Sequence, residues 1–184
     1  MRSAAGEWRH GDRPGTIGRV AWQVRSAESR DVEAVRAVAA AAWRDTYAGL
    51  LRPETIEAFI ANAYSAESVR RRISHRVFLV AESEAGIGAF ADSVEEPDRI
   101  TLAAIYAHPA VRGQGAGTAL LDGIRERLAA LPIAADVLVG NRKGERFYER
   151  RGFTPREIVE EQLFGESVLE RRWWQEPPPR DRGE

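Results

Sequence analysis

The chain contains no cysteine, which excludes a disulfide framework, a thiolate zinc site and a cysteine nucleophile. Lysine is nearly absent too: among 27 basic residues only Lys143 is a lysine, and the rest are arginine. Together with abundant alanine, this reads as the base composition of a GC-rich bacterial genome rather than as arginine recruited for binding. The three histidines, His10, His75 and His108, are scattered without metal-ligand spacing, so no metal is expected. Net charge is also lacking. Twenty-eight acidic residues against 27 basic ones leave −1, which exerts no pull toward nucleic acid or an anionic membrane. The longest apolar run, 37–43, falls far short of the roughly 20 residues of a membrane span. The first twenty residues carry six charged side chains and no continuous apolar stretch. No secretory signal is expected there, and the protein is expected in the cytoplasm.

What the chain does have is enough apolar residue for one core: 184 residues, 43% hydrophobic, predict a single domain. Residues 1–19, rich in Gly, Arg and Pro, read as a disordered leader. Residues 176–184, with Pro177-Pro178-Pro179, read as a disordered extended tail. The body, 20–175, alternates between the two periods. Strands are expected over 20–25, 77–81, 86–91, 99–107, 134–139, 153–161 and 168–174. Helices are expected over 31–43, 53–64, 115–131 and 142–151, the third with Leu120, Leu121, Ile124, Leu128 and Leu131 on one face. The order β-α-α-β-β-β-α-β-α-β-β predicts a mixed α/β (α+β) domain with a central sheet of six to seven strands flanked by four helices.

The segment Val111-Arg112-Gly113-Gln114-Gly115-Ala116-Gly117-Thr118 lies between a strand and a helix. Glycines let backbone N–H groups turn toward one point, and at a helix N-terminus such unpaired donors cradle phosphate oxygens. A Walker loop would end in Gly-Lys-Ser/Thr, which is absent. A dinucleotide fingerprint would have its third glycine one residue later, and an acid at the end of the next strand, whereas Asp136 falls near the start of one. A plain flexible turn remains an alternative. Downstream, Asn141, Phe147-Tyr148 and Gly152-Phe153 follow a buried strand and span a short helix.

Taken together, these two segments resemble the GNAT superfamily of acyl-CoA-dependent N-acyltransferases over about residues 20–174. Arg112, Gly115 and Gly117 match the family's Arg/Gln-x-x-Gly-x-Gly/Ala pattern, and the later segment matches its Asn…Phe-Tyr…Gly-Phe pattern. Trp43-Arg44-Asp45-Thr46-Tyr47-Ala48-Gly49 looks like the first inter-helix loop of many members. The resemblance implies transfer of an acetyl group from acetyl-CoA to a primary amine of a small molecule or to a protein amino group, by direct attack in a ternary complex. Such a reaction needs no protein nucleophile. Proximity then supplies much of the rate.

The resemblance also assigns residues. Arg112, Gly113, Gln114, Gly115, Ala116, Gly117 and Thr118 would hold the coenzyme, with the backbone N–H groups of Gln114 to Thr118 on its pyrophosphate. Its pantetheine arm would lie between the strands ending at Ala107 and Val139, against the backbone of Ile105 and Ala107 and the side chain of Asn141. Tyr148 would protonate the departing thiolate. Trp43 and Tyr47 would wall the acceptor pocket from a loop, or else pack in the core. Two departures stand out. Thr101 occupies the place where many members carry a general-base glutamate, leaving Glu95, Glu96, Asp98, Asp45 and Glu166 as weaker candidates. Gly144 stands where alanine is common, at an expected loss of under about 1 kcal/mol in helix stability. Trp173 and Trp174, adjacent on a strand, point to opposite faces, and no role is assigned to His75 or His108. A coenzyme A-binding regulatory module without turnover is the alternative function, and an α/β nucleotide-binding domain a third. Similar proteins commonly dimerise, so a homodimer is an expectation by analogy alone.

Overall fold

The computed structural model describes residues 20–128 and 130–177. The expected leader, 1–19, and the last seven residues of the expected tail lie outside that range. Glu176, at the start of that tail, is tied down: its carboxylate accepts from Trp174 Nε1 at 2.9 Å.

The sheet grows from a hairpin. β2 (Val77–Ser83) and β3 (Gly86–Glu95) pair antiparallel. Their turn closes on Gly86, whose φ of 102° only glycine adopts freely. β1 (Gln23–Ser26) adds to β2, and β4 (Ile100–Ala107) returns antiparallel along β3. A crossover through one helix then delivers β5 (Ile133–Leu138) parallel to β4. The closing hairpin, β6 (Thr154–Leu163) and β7 (Glu166–Gln175), inserts β7 beside β5. The sheet order is β1-β2-β3-β4-β5-β7-β6, seven strands of mixed direction, as expected.

The helices cover both faces. α1 (Val32–Tyr47), α2 (Pro53–Ala63) and α3 (Ala66–His75) enclose one core with Phe78, Val80, Phe90 and Ala104. α4 (Ala116–Arg127) and α5 (Arg142–Glu149) close the other over Leu79, Ala89, Ile100 and Ile133. Leu120 and Ile124 of α4 are fully buried, each stabilising by about 1.5–3 kcal/mol over exposure.

Among the described residues there are five α-helices rather than four. The extra one, α3, is mostly polar and buries only Val69. It forms because Ser65 caps it, accepting from Ser68 N–H, and because Arg72 and Arg76 both reach Asp92, which is fully buried on β3, at 3.2 and 3.1 Å. α1 is also longer than expected and runs through Tyr47. Arg44 and Asp45, whose polarity suggests a loop, occupy its outer face, while Val35, Ala39, Trp43 and Tyr47 continue its buried stripe at i, i+4 spacing. Of the two adjacent tryptophans, Trp173 is buried and Trp174 packs half-exposed beneath the Arg156 guanidinium at 5.6 Å.

Candidate active site

β4 and β5 run side by side for two residues only. They pair at Ile100–Ile133 and Thr101–Ala134 and then separate. The cause is at Ala103. β3 pairs Asp92 with Ala104 and Ser93 with Leu102, leaving Ala103 as an extra residue on β4. Such a bulge bends and twists its strand. It also reverses the alternation of side chains: Leu102 packs with the α4 core, whereas Ala104 and Tyr106 pack with the α1 core. Beyond it, the edge of β4 that faces β5 has no strand partner, so its N–H and C=O groups are free to bind something else. A cavity of about 710 Å³ fills the gap, with residues 102–107 on one wall and Asp136 and Val137 on the other.

One end of the gap is the N-terminus of α4. Gly113 and Gly115 take φ of 78° and 92° to turn the chain into the helix. Gln114 is held from outside: its N–H donates to Val111 O at 3.3 Å, and its carbonyl accepts from Trp22 Nε1 at 2.9 Å. The amides of Gly115, Ala116, Gly117 and Thr118 have no acceptor within the helix, and its first turn carries no acidic side chain to offset the dipole. Gly117 cannot be larger, because a Cβ there would stand 2.8 Å from Phe147 Cε2 of α5. Arg112, Lys143, Arg146, Arg150 and Arg151 line the same cavity, making a cationic rim suited to a polyanion.

Part of that rim is already engaged. Arg112 pairs with Asp45 and donates to Thr46 Oγ1 at 2.9 Å, while Lys143 reaches the same Asp45 carboxylate at 3.3 Å. The Arg112 guanidinium holds the Asp45 carboxyl below the usual range, which makes Asp45 a poor base. Glu166 is likewise committed: hydrogen bonds from Thr55 and from the Arg52 backbone hold its carboxyl low.

At the other end stands Tyr148. Its ring sits edge-on to Phe147 and Phe153, with centroids 5.2 and 5.0 Å away, and only 6% of the residue is exposed. The hydroxyl makes no hydrogen bond to any described residue and opens on the cavity. Burial, reinforced by Tyr47 and Asp136, raises its pKa and keeps it protonated. Across the gap the Tyr47 and Tyr106 hydroxyls meet at 3.1 Å.

Residues 74–155 match the acetyltransferase (GNAT) domain family. Over that stretch the chain is similar to the GNAT acetyltransferases. No curated protein matches it significantly in sequence, but many solved structures share its fold. The N-acetyltransferase PaiA of Thermoplasma acidophilum, solved with coenzyme A, is 24% identical with a TM-score of 0.70, over 82% of this chain and 98% of its own. A GCN5-related N-acetyltransferase from Rhodopseudomonas palustris is 21% identical with a TM-score of 0.74, over 88% and 99%. Apo YjaB from Escherichia coli is 18% identical with a TM-score of 0.65, over 84% and 97%.

Most of the residues singled out in the sequence line this cavity: Ile105, Ala107, Arg112, Gly113, Gly115, Ala116, Gly117, Thr118, Asn141, Tyr148 and Tyr47. Two do not. Gln114 does not line it and has its N–H already bonded, so the unpaired amides begin at Gly115. Trp43 lies on α1, not on a loop, and stacks on Phe59 at 3.7 Å inside the core. Thr101 donates to Glu96 at 2.6 Å. Gly144 has a reason that helix propensity hides: Asn141 caps α5 by accepting from Gly144 N–H at 3.0 Å, and a Cβ at 144 would lie 2.7 Å from Asn141 Nδ2. Among the described residues no helix is long and apolar enough to cross a membrane, and no group of His, Asp or Glu is placed to hold a metal.

Proposed function

We propose that the protein binds acetyl-CoA in the β4–β5 gap and transfers its acetyl group to a primary amine, of a small molecule or a protein. The observation that carries this is the continuity of the site: unpaired helix amides, an unpaired strand edge and an unpartnered tyrosine hydroxyl follow one another along one cavity. The features fit the parts of the coenzyme. The amides of Gly115 to Thr118 and the arginine rim suit a diphosphate. The β4 edge beyond Ala103 suits the pantetheine amides, which pair with it as an added strand would. Asn141 has its Oδ1 committed to the α5 cap, so it offers Nδ2 as a donor.

The coenzyme, when bound, supplies an activated thioester. The chain's part is to orient it, to exclude water with Tyr47, Tyr106 and Tyr148, and to hold a proton on the Tyr148 hydroxyl for the leaving sulfur. A tyrosine of ordinary pKa near 10 is a somewhat weaker acid than a thiol near 8.5, and burial widens that difference. Tyr148 therefore donates once negative charge has developed on sulfur and stays protonated before then.

Thermal denaturation with coenzyme A tests the binding half. At a hundred times its dissociation constant the ligand stabilises by about 2.7 kcal/mol. Thiol release from acetyl-CoA in the presence of primary amines tests the transfer half. A stable chain whose melting temperature coenzyme A leaves unmoved would overturn the reading.

A further inference from the structure

One strand away from the gap, β7 carries a carboxylate that forms no ion pair with a cation among the described residues. Glu170 lies in register between Leu138 of β5 and Val159 of β6, on the same face as Val168, which packs in the α1 core. It makes no hydrogen bond or ion pair with any described residue. Of the described groups facing it, Asp136 on β5 and Glu161 on β6 share its sign, Tyr47 on α1 is uncharged, and the one cation, Arg172 on β7 itself, offsets them only in part. The cation nearest along its strand, Arg172, is taken by Asp136 through two hydrogen bonds of 2.9 and 3.0 Å and by Glu157 at 3.4 Å. Burial, then Asp136 and Glu161, push the Glu170 carboxyl above the usual carboxylate range.

A half-buried charge left unpaired is unfavourable until a counter-charge arrives. An independent feature marks the direction from which it comes. The Tyr148 side chain, nine-tenths buried and with its hydroxyl unpartnered among the described residues, lines the cavity together with Asp136 and Tyr47, and those two residues lie within electrostatic reach of both Tyr148 and Glu170. We propose that Glu170 holds the ammonium group of the acceptor on the α1 side of the gap and takes its proton, so that the acceptor is an amine that arrives positively charged. The proposal rests on the acetyltransferase reading above. Its chemistry is a single proton transfer: one N–H bond of the ammonium breaks, the nitrogen keeps the electron pair, and the proton rests on a Glu170 oxygen before passing to solvent. Without such a group, only roughly one alkylamine in 2,500 is unprotonated at pH 7. The position expected for a base on β4 holds Thr101, which cannot serve.

The test uses the full chain with n-butylammonium chloride as the probe. With coenzyme A bound, calorimetry should show n-butylammonium binding to the wild type at least tenfold more tightly than to Glu170→Gln, while the coenzyme A dissociation constants agree within twofold. The Glu170 side-chain carboxyl carbon, observed by NMR and assigned with that variant, should shift on adding the probe and titrate at lower pH. In thiol release from acetyl-CoA, Glu170→Gln should lose about a hundredfold in kcat/KM for n-butylamine together with the acidic limb of its pH profile, and Glu170→Asp should restore that limb in part. Equal probe affinity in wild type and Glu170→Gln, or no probe affinity in the coenzyme-loaded wild type, overturns the proposal. If coenzyme A itself fails to bind the folded wild type, the acetyltransferase reading fails first and takes this proposal with it.

Discussion

Gly117 and Phe147 belong to segments thirty residues apart, and their contact joins α4 to α5 at one end of the cavity. Replacing Gly117 by Ala puts a Cβ 2.8 Å from Phe147 Cε2 and 3.3 Å from Cζ. The ring has little room to retreat, because the Arg151 guanidinium sits 3.8 Å from its centroid and donates to the Phe147 carbonyl at 3.0 Å. In an unobstructed helix the same change would gain up to about 1 kcal/mol. Here overpacking costs about 1–3 kcal/mol, so the net effect is destabilising. Phe147→Leu opens the space, and Gly117→Ala introduced into it should be nearly neutral. A double-mutant cycle by urea denaturation should therefore give a coupling of at least about 1 kcal/mol. Gly117→Ala should also weaken coenzyme A binding, because it displaces the first-turn amides. Additive effects within about 0.3 kcal/mol, or a stabilised single variant, would refute the steric argument.

Tyr148→Phe should lower turnover by about a hundredfold or more with coenzyme A affinity within twofold, and should leave the melting temperature unchanged because the hydroxyl makes no internal hydrogen bond. Asp92→Ala strands Arg72, whose side chain is 12% exposed, against the sheet. A loss of about 3–5 kcal/mol in denaturant unfolding is expected. Burial raises the pKa of Tyr47, Tyr64, Tyr106 and Tyr148 in the folded state. The native chain therefore keeps protons that the unfolded chain releases near pH 10. Stability should be flat below that and fall above it, by up to about 1.4 kcal/mol per pH unit for each tyrosine. Melting curves between pH 8 and 11 will show this.

Much of the site is legible in the sequence because its parts are local. The α4 stripe, the glycines at 113, 115 and 117 and the Asn141 to Phe153 segment each declare themselves within a dozen residues. What the sequence hides depends on contacts between distant residues. Nothing in Leu102-Ala103-Ala104 marks the extra residue that opens the gap; the register against Asp92 and Ser93 does. α3 escapes because it has few apolar residues to show a helical stripe, and its tie to the sheet, Asp92 beneath Arg72 and Arg76, is a contact between distant residues. The Asp45 bridge joins Arg112 and Lys143 across separations of 67 and 98 residues. Glu170 sits in a charged, alternating strand that looks exposed, and only the pairing of Arg172 with Asp136 shows that it is left without a partner.

The central claim is that the opened strand edge and the α4 N-terminus together seat the coenzyme. Backbone amide chemical shifts of the 15N-labelled chain, followed as coenzyme A is titrated in, test it directly. The largest shifts should fall on Gly115 to Thr118 and on residues 103–107, with β1 and α3 unmoved. Saturable binding that leaves those amides in place and perturbs another face of the sheet would contradict the account.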